Sequence, residues 1–316
     1  MKPIIYITQK LPDEAVAELQ QSYEVRMWHD DQTSAPKEEI VKQVKEAHAL
    51  WAMLSNQIDN EVFEAAPKLK IVANLAVGYN NIDLDAARKH GVMVTNTPEV
   101  LTEATADLTF ALLLATARRI IEAEKSVRSG DWKSWSPMGM AGQQVGGATL
   151  GIIGMGRIGE AVARRGQGFG MNILYHNRTR RSLEDVKYAG LDELLQKSDF
   201  VVILTPLTEE TRGMIGEREL SLMKNTACLI NVARGGIVDE QALYEALKAE
   251  KIWGAGLDVF EQEPVPLDHP LLSLPNVTVL PHIGSAAIQT RLSMMALNAE
   301  AIHSCLEGRS VKNRVC

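Results

Sequence analysis

Residues 150–159 read Leu150-Gly151-Ile152-Ile153-Gly154-Met155-Gly156-Arg157-Ile158-Gly159. The apolar run over residues 149–153 predicts a buried strand, and Ile158, Ala161, Val162 and Ala163 place apolar groups on one side of a following helix. Gly-x-Gly-x-x-Gly between a strand and a helix is the setting that gives this short pattern its meaning. Gly154 permits a tight turn, Gly156 lets the backbone approach a pyrophosphate, and Gly159 lets helix and strand pack closely. The phosphates would lie against the turn, with Arg157 and Ile158, where main-chain N–H groups and the helix dipole favour an anion. A glycine-rich turn without a ligand is the alternative, and the downstream sequence decides between the two.

The 316 residues have room for about two domains. A 46% hydrophobic and 23% charged composition is that of an ordinary globular protein. The formal charge of -7 offers no electrostatic footprint for nucleic acid or an anionic membrane. Three cysteines (Cys228, Cys305, Cys316) form no Cys-x-x-Cys pair, which suits a reducing compartment, and no metal site is expected. The N-terminal stretch lacks a signal-peptide pattern, and the longest apolar run is far short of a membrane span. A cytoplasmic location is expected.

Upstream of the glycine turn, strand and helix signals alternate. Strands are expected over residues 3–8, 24–28, 49–54, 70–75 and 92–95, and helices over 13–21, 36–47, 61–66 and 84–90. That alternation implies βαβ units and a parallel sheet. Its first turn, Gln9-Lys10-Leu11-Pro12, has no glycines for a phosphate. In the segment 74–83, Val77-Gly78 follows a strand end and could expose main-chain N–H groups as a carboxylate cradle; a plain turn with Gly78 at positive φ is the alternative. From Thr102 one long helix is expected to about Arg128, then a loop over 130–147 rich in tryptophan and glycine. Strands at 172–176, 200–205, 227–232, 254–259 and 277–280 continue the second sheet, and a last helix over 286–306 returns to the first domain. The expected fold class is α/β, with a Rossmann-type dinucleotide-binding domain (100–286) inserted into a smaller flavodoxin-like substrate domain (1–99 and 287–316).

A Rossmann site for NAD places Asp or Glu about 20 residues beyond the glycines. Here the second strand ends His176-Asn177-Arg178-Thr179-Arg180-Arg181, with Asn177 near the acid's place. Arg178 and Arg180, helped by the Thr179 hydroxyl, would attract a ribose 2′-phosphate, so NADP(H) is the expected cofactor and NAD(H) remains open. Three later strands end in Asn231-Val232-Ala233-Arg234-Gly235-Gly236, Asp258-Val259-Phe260-Glu261-Gln262-Glu263-Pro264 and Pro281-His282-Ile283-Gly284-Ser285. Ligands bind outside the carboxyl ends of such strands, so an Arg, a Glu and a His could converge there. Singly, each has a plain structural explanation; in this order, on strand ends, they read as catalytic.

With these segments the whole chain resembles the D-isomer-specific 2-hydroxyacid dehydrogenases, and most the glyoxylate/hydroxypyruvate reductase branch. The resemblance implies a catalytic set of Arg234, Glu263 and His282, with Val77 and Gly78 offering N–H groups to the substrate carboxylate. It also implies that Thr105, Thr205, Pro206, Val232, Ala233 and Gly284 line the cofactor site and that Asp258 holds the carboxamide. Arg234 would orient and polarise the 2-oxo acid, while His282, its cationic form stabilised by Glu263, would protonate the alkoxide. Trp135 would shape the substrate pocket across a homodimer contact; a dimer anchor without substrate contact is its alternative role. The expected reaction is NADPH-dependent reduction of glyoxylate to glycolate and of hydroxypyruvate to D-glycerate. Reduction of 2-ketogluconate is a close variant. A dinucleotide-sensing protein like the corepressors of this fold is the reading from another class, and turnover would exclude it. A small 2-oxo or 2-hydroxy acid and a second copy of the chain are the expected partners.

Overall fold

The computed structural model describes residues 2–316. Two compact units make up the chain: one runs to Leu101 and resumes over Ala286–Cys316, and the other is Thr102–Ser285.

The smaller unit begins with β1 (Ile4–Ile7), α1 (Asp13–Ser22), β2 (Glu24–Met27), α2 (Lys37–Val44) and β3 (Ala49–Ala52). It continues through α3 (Asn60–Glu64), β4 (Ile71–Asn74), α4 (Leu84–Lys89) and β5 (Met93–Thr95). All pairs are parallel, in the order β2-β1-β3-β4-β5. That is the flavodoxin-like order. Every residue of β3 and β4 is buried, as befits strands covered on both faces. Aspartates start the short helices: Asp59 accepts from the Val62 N–H and Asp83 from the Ala86 N–H, each satisfying an otherwise orphaned donor.

The larger unit opens with α5 (Thr102–Ala117) and α6 (Ile120–Ser129), then β6 (Thr149–Ile153), α7 (Arg157–Gly168), β7 (Asn172–His176) and β8 (Val186–Tyr188). There follow α8 (Leu191–Lys197), β9 (Phe200–Ile203), α9 (Glu217–Leu222), β10 (Cys228–Asn231), α10 (Glu240–Lys248), β11 (Gly254–Leu257) and β12 (Val277–Val279). Its parallel order is β12-β11-β10-β9-β6-β7-β8, so the sheet grows outward in both directions from β6. This is the doubly wound Rossmann order, with its switch point between β6 and β9. Apolar layers cover both faces, one built on Leu194, Leu229 and Leu243, the other on Leu113, Val162 and Ile230. The last helix, α11 (Ile288–Leu306), belongs to the smaller unit, where Asn298 donates to the Ala73 carbonyl at 3.2 Å.

The single helix expected over 102–128 is two helices. Arg119 breaks it in a left-handed conformation (φ 54°, ψ 37°). The cause is a change of surroundings. Along α5, Ala106, Phe110, Leu113 and Ala117 are buried, and Gly254 and Gly256 of β11 let the helix lie against the sheet; a Cβ at Gly256 would meet Leu112 Cγ at 2.8 Å. In α6 no residue is buried. The Ala117 carbonyl accepts the Gln143 N–H at 2.8 Å, so a returning segment takes the place of the next helical turn. Strand β8 was not expected; its Val-Lys-Tyr sequence is too short to show a period of its own.

Candidate active site

The glycine turn leaves β6 at the switch point. Gly154 has φ +103°, and a Cβ there would stand 2.5 Å from the Thr205 nitrogen at the end of β9. A Cβ on Gly159 would stand 2.4 Å from the Gly154 oxygen, so helix and turn touch main chain to main chain. Around Gly156, by contrast, the Cβ position has no atom within 4 Å, and no side chain caps α7. Two glycines are thus filled by the protein and the middle one faces open space at a helix N-terminus. That combination fits a dinucleotide pyrophosphate.

Beyond β7 the basic turn divides its labour. Asn177 is spent on the glycine turn: its Oδ1 accepts the Met155 N–H at 2.7 Å and its Nδ2 donates to the Met155 carbonyl at 3.3 Å. Arg181 donates to the same carbonyl at 2.8 Å and pairs with Glu160. The Arg180 guanidinium lies over the Tyr188 ring, 4.2 Å from its centroid. Arg178 and Thr179 are exposed, and neither has a hydrogen bond or ion pair among the described residues.

Arg234, Glu263, His282 and Asp258 stand on three turns that interlock beyond β10, β11 and β12. Asn231, 2% exposed, binds the first: its Oδ1 accepts the Ala233 N–H at 3.1 Å and its Nδ2 donates to the Arg234 carbonyl at 2.9 Å. Arg234 Nη1 donates to the Ala233 carbonyl at 2.6 Å; burial pulls its pKa down, and the Glu263 charge opposes the pull. Guanidinium nevertheless keeps its proton at neutral pH.

His282 sits at φ 55°, a conformation costing about 1–3 kcal/mol for a residue with a side chain. Asp258 holds it there. The His282 N–H donates to the Asp258 carbonyl at 2.9 Å, and the Ile283 and Gly284 N–H groups donate to the two carboxylate oxygens at 2.7 and 2.8 Å. Burial pushes the Asp258 carboxyl up, with those two donors and His282 opposing. Thr105, Val232 and Asp258 surround Gly284, each 3.3–3.5 Å from where its Cβ would be.

Glu263, joined to Pro264 by a cis peptide, accepts the Phe260 N–H on Oε1 at 3.0 Å and meets His282 Nδ1 with Oε2 at 2.7 Å. Burial pushes this carboxyl up, but the hydrogen bond and charge of His282, the Phe260 N–H and Arg234 together hold it below the usual carboxylate range. An ionised carboxylate only accepts, so while Glu263 is ionised Nδ1 carries the hydrogen between them. Among the described residues Nε2 has no partner.

In the smaller unit, Val77 and Gly78 follow β4, both half-buried, with N–H groups that no acceptor among the described residues takes; Gly78 does not adopt a positive φ. Thr205 and Pro206 follow β9, and Trp135 is 80% exposed. The motifs contain Asn231, Gly235 and Arg181 without assigning them a role, and they pass over the pair Glu240–His269. His269 Nε2 lies 3.0 Å from Glu240, whose other oxygen accepts the Glu261 N–H at 2.7 Å, so this histidine braces the turn that carries Glu263. Gly235, directly after Arg234, was the available signal: a Cβ there would fall on the Phe260 backbone.

A profile of the D-isomer specific 2-hydroxyacid dehydrogenase NAD-binding domain matches residues 110–284. The chain belongs to the D-isomer-specific 2-hydroxyacid dehydrogenase family. It is an NAD(P)-dependent enzyme of that family, with a nicotinamide dinucleotide as cofactor. It is 52% identical over 322 residues to the glyoxylate reductase of Korarchaeum cryptofilum, covering 100% of this chain and 96% of that one. A solved structure from Thermus thermophilus is 45% identical with a TM-score of 0.94, covering 99% and 100% of the two chains. The NADPH-dependent glyoxylate/hydroxypyruvate reductase of Sinorhizobium meliloti, solved with NADP and malonate, is 34% identical with a TM-score of 0.87 over 100% and 97%.

Proposed function

We propose that this dehydrogenase uses NADPH to reduce small 2-oxo acids, glyoxylate to glycolate and hydroxypyruvate to D-glycerate. The observation that carries the chemistry is the His282–Glu263 contact of 2.7 Å, with Nε2 left unengaged. Curated relatives named glyoxylate reductase support the substrate class. The exposed Arg178 and the 2′-phosphate cofactor of the Sinorhizobium meliloti neighbour support NADPH.

Gly154, Gly156 and Gly159 with Arg157 and Ile158 would hold the pyrophosphate, and Arg178, Thr179 and Arg180 the ribose phosphate. Thr105, Thr205, Pro206, Val232, Ala233, Asp258 and Gly284 would line the rest of the cofactor site. When bound, the nicotinamide supplies the hydride that reaches C2. Val77 and Gly78 receive the substrate carboxylate, and Arg234 fixes the acid and draws electron density toward its carbonyl oxygen. His282 donates the Nε2 proton to the alkoxide formed there, and Glu263 stabilises the cationic ring before transfer. In the reverse direction the neutral ring accepts that proton.

Exposed Ile120, Val127, Trp132, Trp135 and Met138 make α6 and the loop after it the contact we assign to a homodimer, with Trp135 reaching toward the partner's substrate. Free Cys228, Cys305 and Cys316 suit a reducing cytoplasm. Among the described residues no helix is long and apolar enough to cross a membrane. Initial rates with NADPH and NADH against glyoxylate, hydroxypyruvate and 2-ketogluconate test the proposal. Fast NADPH-dependent turnover of the two small acids supports it; preference for 2-ketogluconate moves the substrate, and no turnover despite cofactor binding overturns catalysis.

A further inference from the structure

The turn after β4 is shaped from behind by three hydrogen bonds. The Thr97 N–H donates to the Ala76 carbonyl at 2.9 Å, Asn96 Nδ2 to the Val77 carbonyl at 2.8 Å, and Asn74 Nδ2 to the Gly78 carbonyl at 2.9 Å. In a trans peptide the N–H points opposite to its C=O, and none of these bonds is cis. The three ties therefore direct the N–H groups of Val77, Gly78 and Tyr79 away from Thr97, Asn96 and Asn74. No described residue accepts any of the three. Successive unpaired N–H groups of this kind form an anion seat, and half-buried ones cost free energy unless something occupies them.

The framework behind the turn is itself polar and closed. Asn74 and Asn81 exchange reciprocal amide bonds at 3.2 Å, and Asn81 also donates to the Asn56 carbonyl at 3.0 Å. Asn74 is 0% exposed and Asn81 2%. A fully paired network of buried amides admits one arrangement of the atoms it holds, which an apolar contact would not impose.

We propose that Asn96 and Asn74 are positioning residues that lock the peptide planes of residues 76–79, so that three N–H groups, including that of Tyr79, face the substrate carboxylate. The proposal rests on the reading of Val77 and Gly78 as the carboxylate's seat. Asn96 is the member to change, because its side chain is half-buried whereas Asn74 is enclosed.

Asn96→Ala and Asn96→Ser are compared with the unaltered enzyme for kcat and KM on glyoxylate and on its neutral methyl ester, for NADPH affinity and for melting temperature. Loss of a charge-assisted hydrogen bond raises the glyoxylate KM of Asn96→Ala by about ten-fold. The ester's KM and the NADPH affinity stay within about two-fold, so the preference for acid over ester contracts. Asn96→Ser, whose hydroxyl can still donate, falls between and carries the comparison should the alanine variant not fold. An unchanged acid-to-ester ratio in the folded variants, or an equal loss on both probes, overturns the positioning role. An unaltered enzyme that does not prefer the acid overturns the carboxylate seat itself.

Discussion

Replacing Gly235 with alanine tests how tightly the turns that carry Arg234 and Glu263 are fitted. A Cβ on Gly235 would lie 1.9 Å from both the carbonyl carbon and oxygen of Phe260 and 2.2 Å from the Glu261 nitrogen. All are main-chain atoms, so no side chain can rotate aside. Non-bonded heavy atoms settle at roughly 3.5 Å and resist approach below about 3 Å, so the two turns must part by at least ~1 Å. The displaced segment carries the Phe260 N–H that holds Glu263 Oε1 and the Glu261 N–H anchored on Glu240. Glu263 then leaves its 2.7 Å contact with His282. A misplacement of about 1 Å costs about 10²-fold in rate, and overpacking costs about 1–3 kcal/mol, so the variant stays folded and slow. Steady-state kcat/KM for glyoxylate with NADPH, beside a melting curve and an NADPH titration, reads both effects. A folded variant working within about three-fold of the parent enzyme would refute the reasoning, because the turns would then have slack.

His282→Ala is expected to lower kcat by about 10²–10⁴-fold while leaving NADPH affinity unchanged; turnover near the original rate removes it as the acid. Arg178→Ala is expected to weaken NADPH by about ten-fold or more and NADH hardly at all, and equal losses would make it an ordinary surface charge. Glu263 has a folded pKa below its usual 4.5, so the stability it contributes is present above that value and disappears as pH falls through the lower one. The melting temperatures of the parent and Glu263→Gln should therefore differ above the usual carboxylate range and converge as the pH falls below it; a gap that persists undiminished in acid contradicts the assignment.

Both parallel sheets were readable from alternating apolar runs and turns, because a strand buried on both faces leaves an unbroken apolar word such as Ile-Val-Ala or Phe-Val-Val-Ile. That Arg234, Glu263 and His282 come close together was readable because each lies on the turn after a strand of one sheet, and β10, β11 and β12 are neighbours in it. Asn177 was legible only in part. Its place in the turn is clear from spacing, but only coordinates show both ends of its amide committed to Met155. The break at Arg119 escaped periodicity because Ile120, Ile121 and Val127 continue an apolar pattern that faces solvent in α6. His269 lies outside the motifs, and its partner, Glu240, is 29 residues away in sequence.

The junction at Ala117 has an architectural consequence. Ala117 and Gln143 are stitched together, and Gly142 fits against them only because it has no Cβ, which would fall 2.2 Å from the Ala117 oxygen. Everything between forms an arm with a closed neck, and no residue of the helix in it is fully buried. Once a neck is closed, lengthening what hangs from it costs only about 0.6 kcal/mol per doubling. The arm is therefore a graft on the scaffold: its tip can be rewritten, shortened or exchanged while the sheet beneath keeps its register.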